Sequence, residues 1–303
     1  MVVGTMDFKT ELTERVDYIN KVLAGALPAE EGMQKRVIEA ANYSVNAGGK
    51  RIRPMIMLET YRLFNGTDEK LLEPYMAAME CIHTYSLVHD DLPAMDDDAY
   101  RRGQLTTHKK YGEDFGILAG DALLNYAYEL MINGLAQIKD GDTLIRAVKA
   151  AQILSAKAGI YGMVGGQSLD VWLTNKPMSA EQLEFIFNLK TGALIEASFM
   201  IGATLAGADQ EAVMAMEKAG NDVGVAFQIQ DDILDLISSQ DVLGKPVKSD
   251  MKNNKETYVS LYGIEKSRED VRVLSENAIN AIKKHGNNEF LTELVEALIN
   301  REK

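Results

Sequence analysis

From Phe8 onward, apolar side chains recur at helical intervals. Phe8, Leu12, Val16, Ile19 and Leu23 fall three or four apart, the spacing of one face of an amphipathic helix. Pro28 interrupts the pattern, and Val37, Ala40, Ala41 and Val45 resume it on a second helix that Gly48-Gly49 ends. Residues 55–64 predict a third helix, with Pro54 in its first turn, where a missing N–H costs nothing, and Asn65-Gly66 at its end. A fourth covers residues 71–88. Further helices are expected over 117–135, entered through Gly120-Asp121, and over 142–158. Ser179, with Gln182 three residues on, forms a capping box that opens a long helix through Lys190-Thr191-Gly192 to Leu205. Asp209 starts another that reaches Ile237, and the chain closes with helices near 266–284 and 288–299. No segment alternates with a period of two for long enough to be a strand. Neither a linker nor a low-complexity stretch occurs. The pattern predicts an all-α chain, a single domain over 1–303, built as a bundle of long helices around a central cavity.

Composition narrows the setting. A net charge of −13 argues against nucleic acid and against anionic membrane surfaces as partners. Residues 1–21 carry charges at short intervals with no apolar core of a leader, and no run of about 18 apolar residues occurs, so stable membrane insertion is not expected. Cys81 is the only cysteine. An intramolecular disulfide is therefore excluded, a reducing, cytoplasmic setting is expected, and Cys81 reads as a small buried hydrophobe.

The unusual chemistry lies in two acidic clusters set into apolar helical sequence. Asp90, Asp91, Asp96, Asp97 and Asp98 place five carboxylates in nine positions. Asp231, Asp232 and Asp235 follow far downstream; on a helix their spacings of three and four bring them to one face. Carboxylates this dense are tolerable in a folded site when a cation sits among them. Hard oxygen ligands suit Mg²⁺, which takes one or two carboxylates and completes its shell with water and phosphate. Arg101-Arg102-Gly103 follows the first cluster, and the guanidinium fork suits phosphate. A second basic set, Gly48-Gly49-Lys50-Arg51-Ile52-Arg53-Pro54, contains no acid and reads as a phosphate site that works without metal. Taken together, these residues predict a magnesium–diphosphate site built from two facing helices.

Those motifs, with Gly166-Gln167-x2-Asp170, Lys190-Thr191-Gly192 and Phe227-Gln228-x2-Asp231-Asp232-x2-Asp235, are similar in order and spacing to the short-chain trans-isoprenyl diphosphate synthases, closest to the bacterial farnesyl diphosphate synthases. The resemblance runs from about Ala47 to Tyr258. It implies an all-α fold of the isoprenoid synthase type. The implied reaction is a Mg²⁺-dependent head-to-tail condensation of isopentenyl diphosphate with an allylic diphosphate, dimethylallyl and then geranyl, giving farnesyl diphosphate. It also implies about three Mg²⁺ ions bound with the allylic diphosphate, small diphosphate substrates as the partners, and a homodimer. Asp90, Asp91, Asp96, Asp231, Asp232 and Asp235 take the metal-binding roles. Arg101, Lys190, Lys245 and Lys255 take those at the allylic diphosphate, while Lys50, Arg53, His83 and Arg102 serve isopentenyl diphosphate. Thr191 and Gln228 flank the developing cation. With Arg101 and Lys190 they form the expected catalytic set, supported by Gln167 and Asp170.

Product length is expected to depend on Tyr85 and Ser86. Tyr85 lies five residues before Asp90, roughly 7–8 Å along the helix, where a ring would floor the channel for a growing chain. Two departures stand out: Gln104-Leu105 replaces the family's usual Lys-Pro after Arg-Arg-Gly, and Asn254 replaces a glycine before Lys255. The alternatives are a geranylgeranyl diphosphate synthase and a non-catalytic helical partner subunit. A terpene cyclase usually carries an Asn/Ser/Glu-type second motif, whereas this chain has Asp231-Asp232-x2-Asp235; a di-metal carboxylate bundle wants a Glu-x-x-His on each of two helices, and only one occurs, Glu80-Cys81-Ile82-His83.

Overall fold

Ala, Leu, Met and Glu dominate the periodic segments, and helix is what they form. A computed structural model describes residues 7–243 and 256–299. In chain order its helices are α1 (Phe8–Ala26), α2 (Lys35–Asn46), α3 (Ile52–Leu63), α4 (Glu69–Asp90), α5 (Thr107–Tyr111), α6 (Glu113–Gln137), α7 (Gly141–Ala158), α8 (Met163–Trp172), α9 (Ala180–Ile186), α10 (Ala193–Ala206), α11 (Gln210–Leu243), α12 (Tyr258–Tyr262), α13 (Ile264–His285) and α14 (Glu289–Ile299). The fold is all-α, as the periodicity predicts.

The differences from expectation are local. Gly120-Asp121 does not open a helix; α6 begins at Glu113. Gly120 instead lies within α6 where the His89 ring crosses it, and a Cβ there would collide with the imidazole. Two short strands, β1 (Tyr100–Arg101) and β2 (Gln104–Leu105), pair antiparallel. Each is only two residues long, too short to show an alternating pattern. The long helix expected from Ser179 to Leu205 is interrupted by a π-helical turn, Phe187–Gly192, between α9 and α10. Its capping box is present as predicted, with the Ser179 hydroxyl accepting from the Gln182 amide and the Gln182 side chain accepting from the Ser179 amide.

The chain divides into two compact units, Met1–Leu58 with Gly66–Ala151, and Glu59–Asn65 with Gln152–Lys303. In the first, α4 packs on α6, α1 and α2. Tyr75, Met76, Met79 and Ile82 of α4 are fully enclosed, and Cys81 is buried beside them. In the second, α11 packs on α10, α13 and the π turn. Residues Ala180–Ala206 are apolar enough to pass as a membrane span, but 72% of their most apolar window is buried in the fold, as befits a core helix.

Candidate active site

The first acidic motif begins where α4 stops. Pro93 cannot continue the helix, and the chain turns back on itself: Leu92 N–H donates to His89 C=O, and Asp96 N–H donates to Asp90 C=O at 2.9 Å. That closure explains the Asp90-x5-Asp96 spacing, because it returns Asp96 to the end of the helix that carries Asp90. Asp91 is 3% exposed. Arg101 holds it bidentately, with Nε at 2.7 and 3.0 Å from its two oxygens and Nη2 at 2.6 Å from Oδ1. Burial pushes the Asp91 carboxyl up and the guanidinium draws it back; Asp91 in turn raises Arg101. Asp97 is paired to Lys109 at 3.0 Å, and Asp98 lies 3.5 Å from Arg101. Both act as local counter-charge.

Arg101 and Arg102 diverge because of the hairpin. Tyr100 pairs with Leu105 and Arg101 with Gln104, leaving Arg102-Gly103 as a two-residue turn with φ of 53° and 77°. Positive φ at both positions matches the twist of a tight hairpin. Gln104-Leu105 therefore leaves a regular connection in place. Arg102 reaches back to the Gly48 carbonyl, and its guanidinium lies across Gly49, where a Cβ would sit 2.8 Å from Cζ.

Three of the four residues expected at isopentenyl diphosphate form a group. Arg53 Nη1 is 3.4 Å from His83 Nε2, and Arg102 is close enough to both to shift their charge equilibria. Burial lowers the His83 imidazole well below its usual range, and the arginines around it, Arg53 first, lower it further. Arg53 Nε is buried without a protein acceptor, a donor that an anion would satisfy. Lys50 is exposed on the preceding loop.

Arg51 behaves differently from its basic neighbours. Its backbone is left-handed, φ 50°, and its side chain turns inward. Nη1 donates to Glu80 at 2.8 Å, Nε to Asn20 Oδ1 at 3.0 Å and Nη2 to the Val45 carbonyl at 2.8 Å. Glu80 is a buried acid from α4, three residues before His83. The basic set, read from its sequence as free of acid, thus has one hidden anchor. Two polar residues three apart on an otherwise buried helix were the available signal.

In the second unit, Lys190 and Thr191 lie on the π turn. Lys190 Nζ sits 2.6 Å from Asp170 Oδ2 on α8, and the Thr191 hydroxyl donates to Gln228 Oε1 on α11 at 2.9 Å. Asp231 and Asp232 are half-buried and Asp235 exposed, with Ile233 packed inward between them. Asp232 accepts from the Tyr258 amide at 2.7 Å. Lys245, Lys255 and Asn254 lie outside the described residues.

The polyprenyl synthetase family model matches residues 34–298. The chain belongs to the polyprenyl synthetase family. It is 40% identical over 294 residues to the geranylgeranyl diphosphate synthase of Cyanophora paradoxa, covering 96% of each chain. It is 42% identical to the farnesyl diphosphate synthase of Micrococcus luteus, covering 86% of this chain and 87% of that one. A solved geranyltransferase from Helicobacter pylori, complexed with magnesium and isoprenyl diphosphate, superposes with a TM-score of 0.79 at 32% identity, over 98% of this chain and 97% of that one. This polyprenyl synthetase is accordingly a prenyltransferase that makes trans-prenyl diphosphates.

The donor set of this polyprenyl synthetase fits magnesium. Every candidate ligand is a carboxylate oxygen, the hard donor Mg²⁺ prefers. Among the described residues, no three His, Cys, Asp or Glu side chains close on one point. Dense like charges spread apart, and an ion that brings phosphate and water into its shell needs only one or two protein oxygens.

Proposed function

We propose that this prenyl diphosphate synthase is Mg²⁺-dependent and makes farnesyl diphosphate from isopentenyl diphosphate and an allylic diphosphate. The magnesium complex named in the Helicobacter pylori structure supports the metal. Relatives named for both C15 and C20 products support either length. The observation that favours C15 is Tyr85: it is 6% exposed on α4, with its ring edge-on to His89 at 5.8 Å, and burial pushes its phenol up to about 12. A ring packed this firmly makes a floor. Ser86, its hydroxyl donating to the His83 carbonyl at 2.9 Å, adds little bulk.

Asp90, Asp96 and Asp231 would hold the metal, with Asp91, Asp232 and Asp235 beside them. When bound, Mg²⁺ neutralises the leaving diphosphate and favours ionisation of the allylic C–O bond. Arg101, aimed by Asp91, and Lys190, aimed by Asp170, donate to that same diphosphate, joined by Lys245 and Lys255. The Thr191 and Gln228 oxygens face the carbon that becomes cationic. Lys50, Arg53 and Arg102, with His83 beside them, hold the second diphosphate without metal, so its C–O bond stays intact. The double bond of isopentenyl diphosphate supplies the electron pair for the new C–C bond, and the proton then lost passes to the released diphosphate.

The experiment is product chromatography after incubation with isopentenyl and dimethylallyl diphosphates and Mg²⁺. A dominant C15 product is expected. A dominant C20 product would favour the geranylgeranyl reading and contradict this one.

A further inference from the structure

Lys190 and Thr191 owe their positions to a π turn, Phe187–Gly192. Such turns are rare, are poorly stable alone, and recur at functional sites, so something must hold this one. One face of α11 supplies the support. Asn221, Gly224, Gln228, Asp231 and Asp235 recur at intervals of three and four, a single stripe along the helix. The upper part of that stripe carries Gln228, bonded to Thr191, and the acidic motif. Its base is Asn221.

The Asn221 amide uses both of its hydrogens. One goes to Asn188 Oδ1 at 3.1 Å and the other to Glu196 Oε1 at 2.8 Å. Asn188 is the second residue of the π turn, two before Lys190. Glu196 is buried in the first turn of α10, immediately beyond it. The other oxygen of Glu196 accepts from Lys157, which also pairs with Glu217 at 2.7 Å. A side-chain bridge therefore clamps the π turn from both ends. Backbone packing closes around it: a Cβ on Gly224 would lie 2.6 Å from the Gly192 Cα, and one on Gly220 would lie 2.6 Å from the Glu196 Cα. On the other side, a Cβ on Gly166 would collide with the Lys190 amide nitrogen.

We infer that Asn221, acting through Asn188 and Glu196, is a positioning residue for the prenyl transfer. It locks the register of the π turn, and with it the aim of Lys190 at the diphosphate and of Thr191 at the reacting carbon. The inference rests on the roles proposed above for Lys190 and Thr191. A network of this kind acts as a unit, and displacement of a positioned group by about 1 Å can cost roughly 100-fold in rate.

Steady-state kinetics with isopentenyl diphosphate, geranyl diphosphate and Mg²⁺ test it, alongside thermal melts, on the wild type and on Asn221→Ala, Asn188→Ala, Asn188→Asp and Glu217→Gln. Asn221→Ala and Asn188→Ala are expected to lower kcat about 10- to 100-fold with KM for isopentenyl diphosphate changed less than about twofold. Asn188→Asp keeps an acceptor for the Asn221 amide and retains most of the wild-type kcat. Glu217→Gln loosens only the outer end of the network; it lowers Tm yet leaves kcat within about twofold of the wild type. The inference is overturned if Asn221→Ala and Asn188→Ala keep wild-type kcat, or if all four variants lose kcat in proportion to Tm. Should Asn221→Ala fail to fold, the two Asn188 variants decide by the same criteria. An inactive wild type would instead overturn the synthase reading beneath the inference.

Discussion

Two buried residues in the first unit carry consequences larger than their size. Arg51 and Glu80 are ion-paired with side chains only 3% exposed, and the other two guanidinium nitrogens donate to Asn20 Oδ1 and the Val45 carbonyl. Removing the carboxylate leaves a buried charge unpaired, which costs about 3–5 kcal/mol. Glu80→Ala is therefore expected to lower the urea midpoint steeply, with Glu80→Gln, which keeps one hydrogen bond, falling between it and the wild type. A loss under about 1 kcal/mol for Glu80→Ala would contradict this account of the loop. His83 makes the second prediction. Burial and the surrounding Arg53, Arg102, Arg101 and Arg51 hold its pKa well below 6.5. As pH falls through 6.5, the unfolded chain gains a proton at this position that the folded one refuses. The residue thus removes stability on the acid side, by at most about 1.4 kcal/mol per pH unit. His83→Gln abolishes that contribution, so stability between pH 6.5 and 5 should fall less steeply in the variant; identical slopes would refute the assignment.

At the scale of elements, the proposed reaction gives α4 a part at both substrates. One stretch of it carries Glu80 and His83 beside the metal-free basic group, then Tyr85, then Asp90 at the start of the metal motif. The rise of about 1.5 Å per residue sets Tyr85 roughly 7–8 Å along the helix axis from Asp90. Tyr85→Ala removes the ring and is expected to shift products toward C20 and longer; an unchanged C15 product would refute the floor. Helix periodicity made α1, α4, α7, α11 and α13 legible before any coordinates, and the Ser179 capping box marked the start of α9. The π turn was not legible, because 179–205 reads as one continuous helical pattern; what breaks it is packing against Gly166, Gly220 and Gly224, contacts made with residues distant in sequence. The hairpin at Tyr100–Leu105 was hidden by its brevity. Arg51 was read with the basic cluster because composition cannot report which way a side chain turns.

Over the whole molecule, the net charge of −13 sits poorly with anionic substrates unless cations are gathered locally. The described residues gather them in two ways. Arg53 and Arg102 stand with His83, and the acid nearest them, Glu80, is occupied by Arg51. Arg101 is held by Asp91, with Asp98 at 3.5 Å, and Lys190 by Asp170, pairings that would fix their aim at a diphosphate in the proposed reaction. In the proposed reaction the acid motifs would take the divalent cation. The motifs were legible from residue types and spacing alone, whereas these pairings needed the fold. The most direct measurement of the account is incubation with isopentenyl and geranyl diphosphates, with Mg²⁺ and after its removal by chelation. C15 diphosphate formed only when the metal is present is the predicted result; equal product without metal, or none with it, would contradict the account.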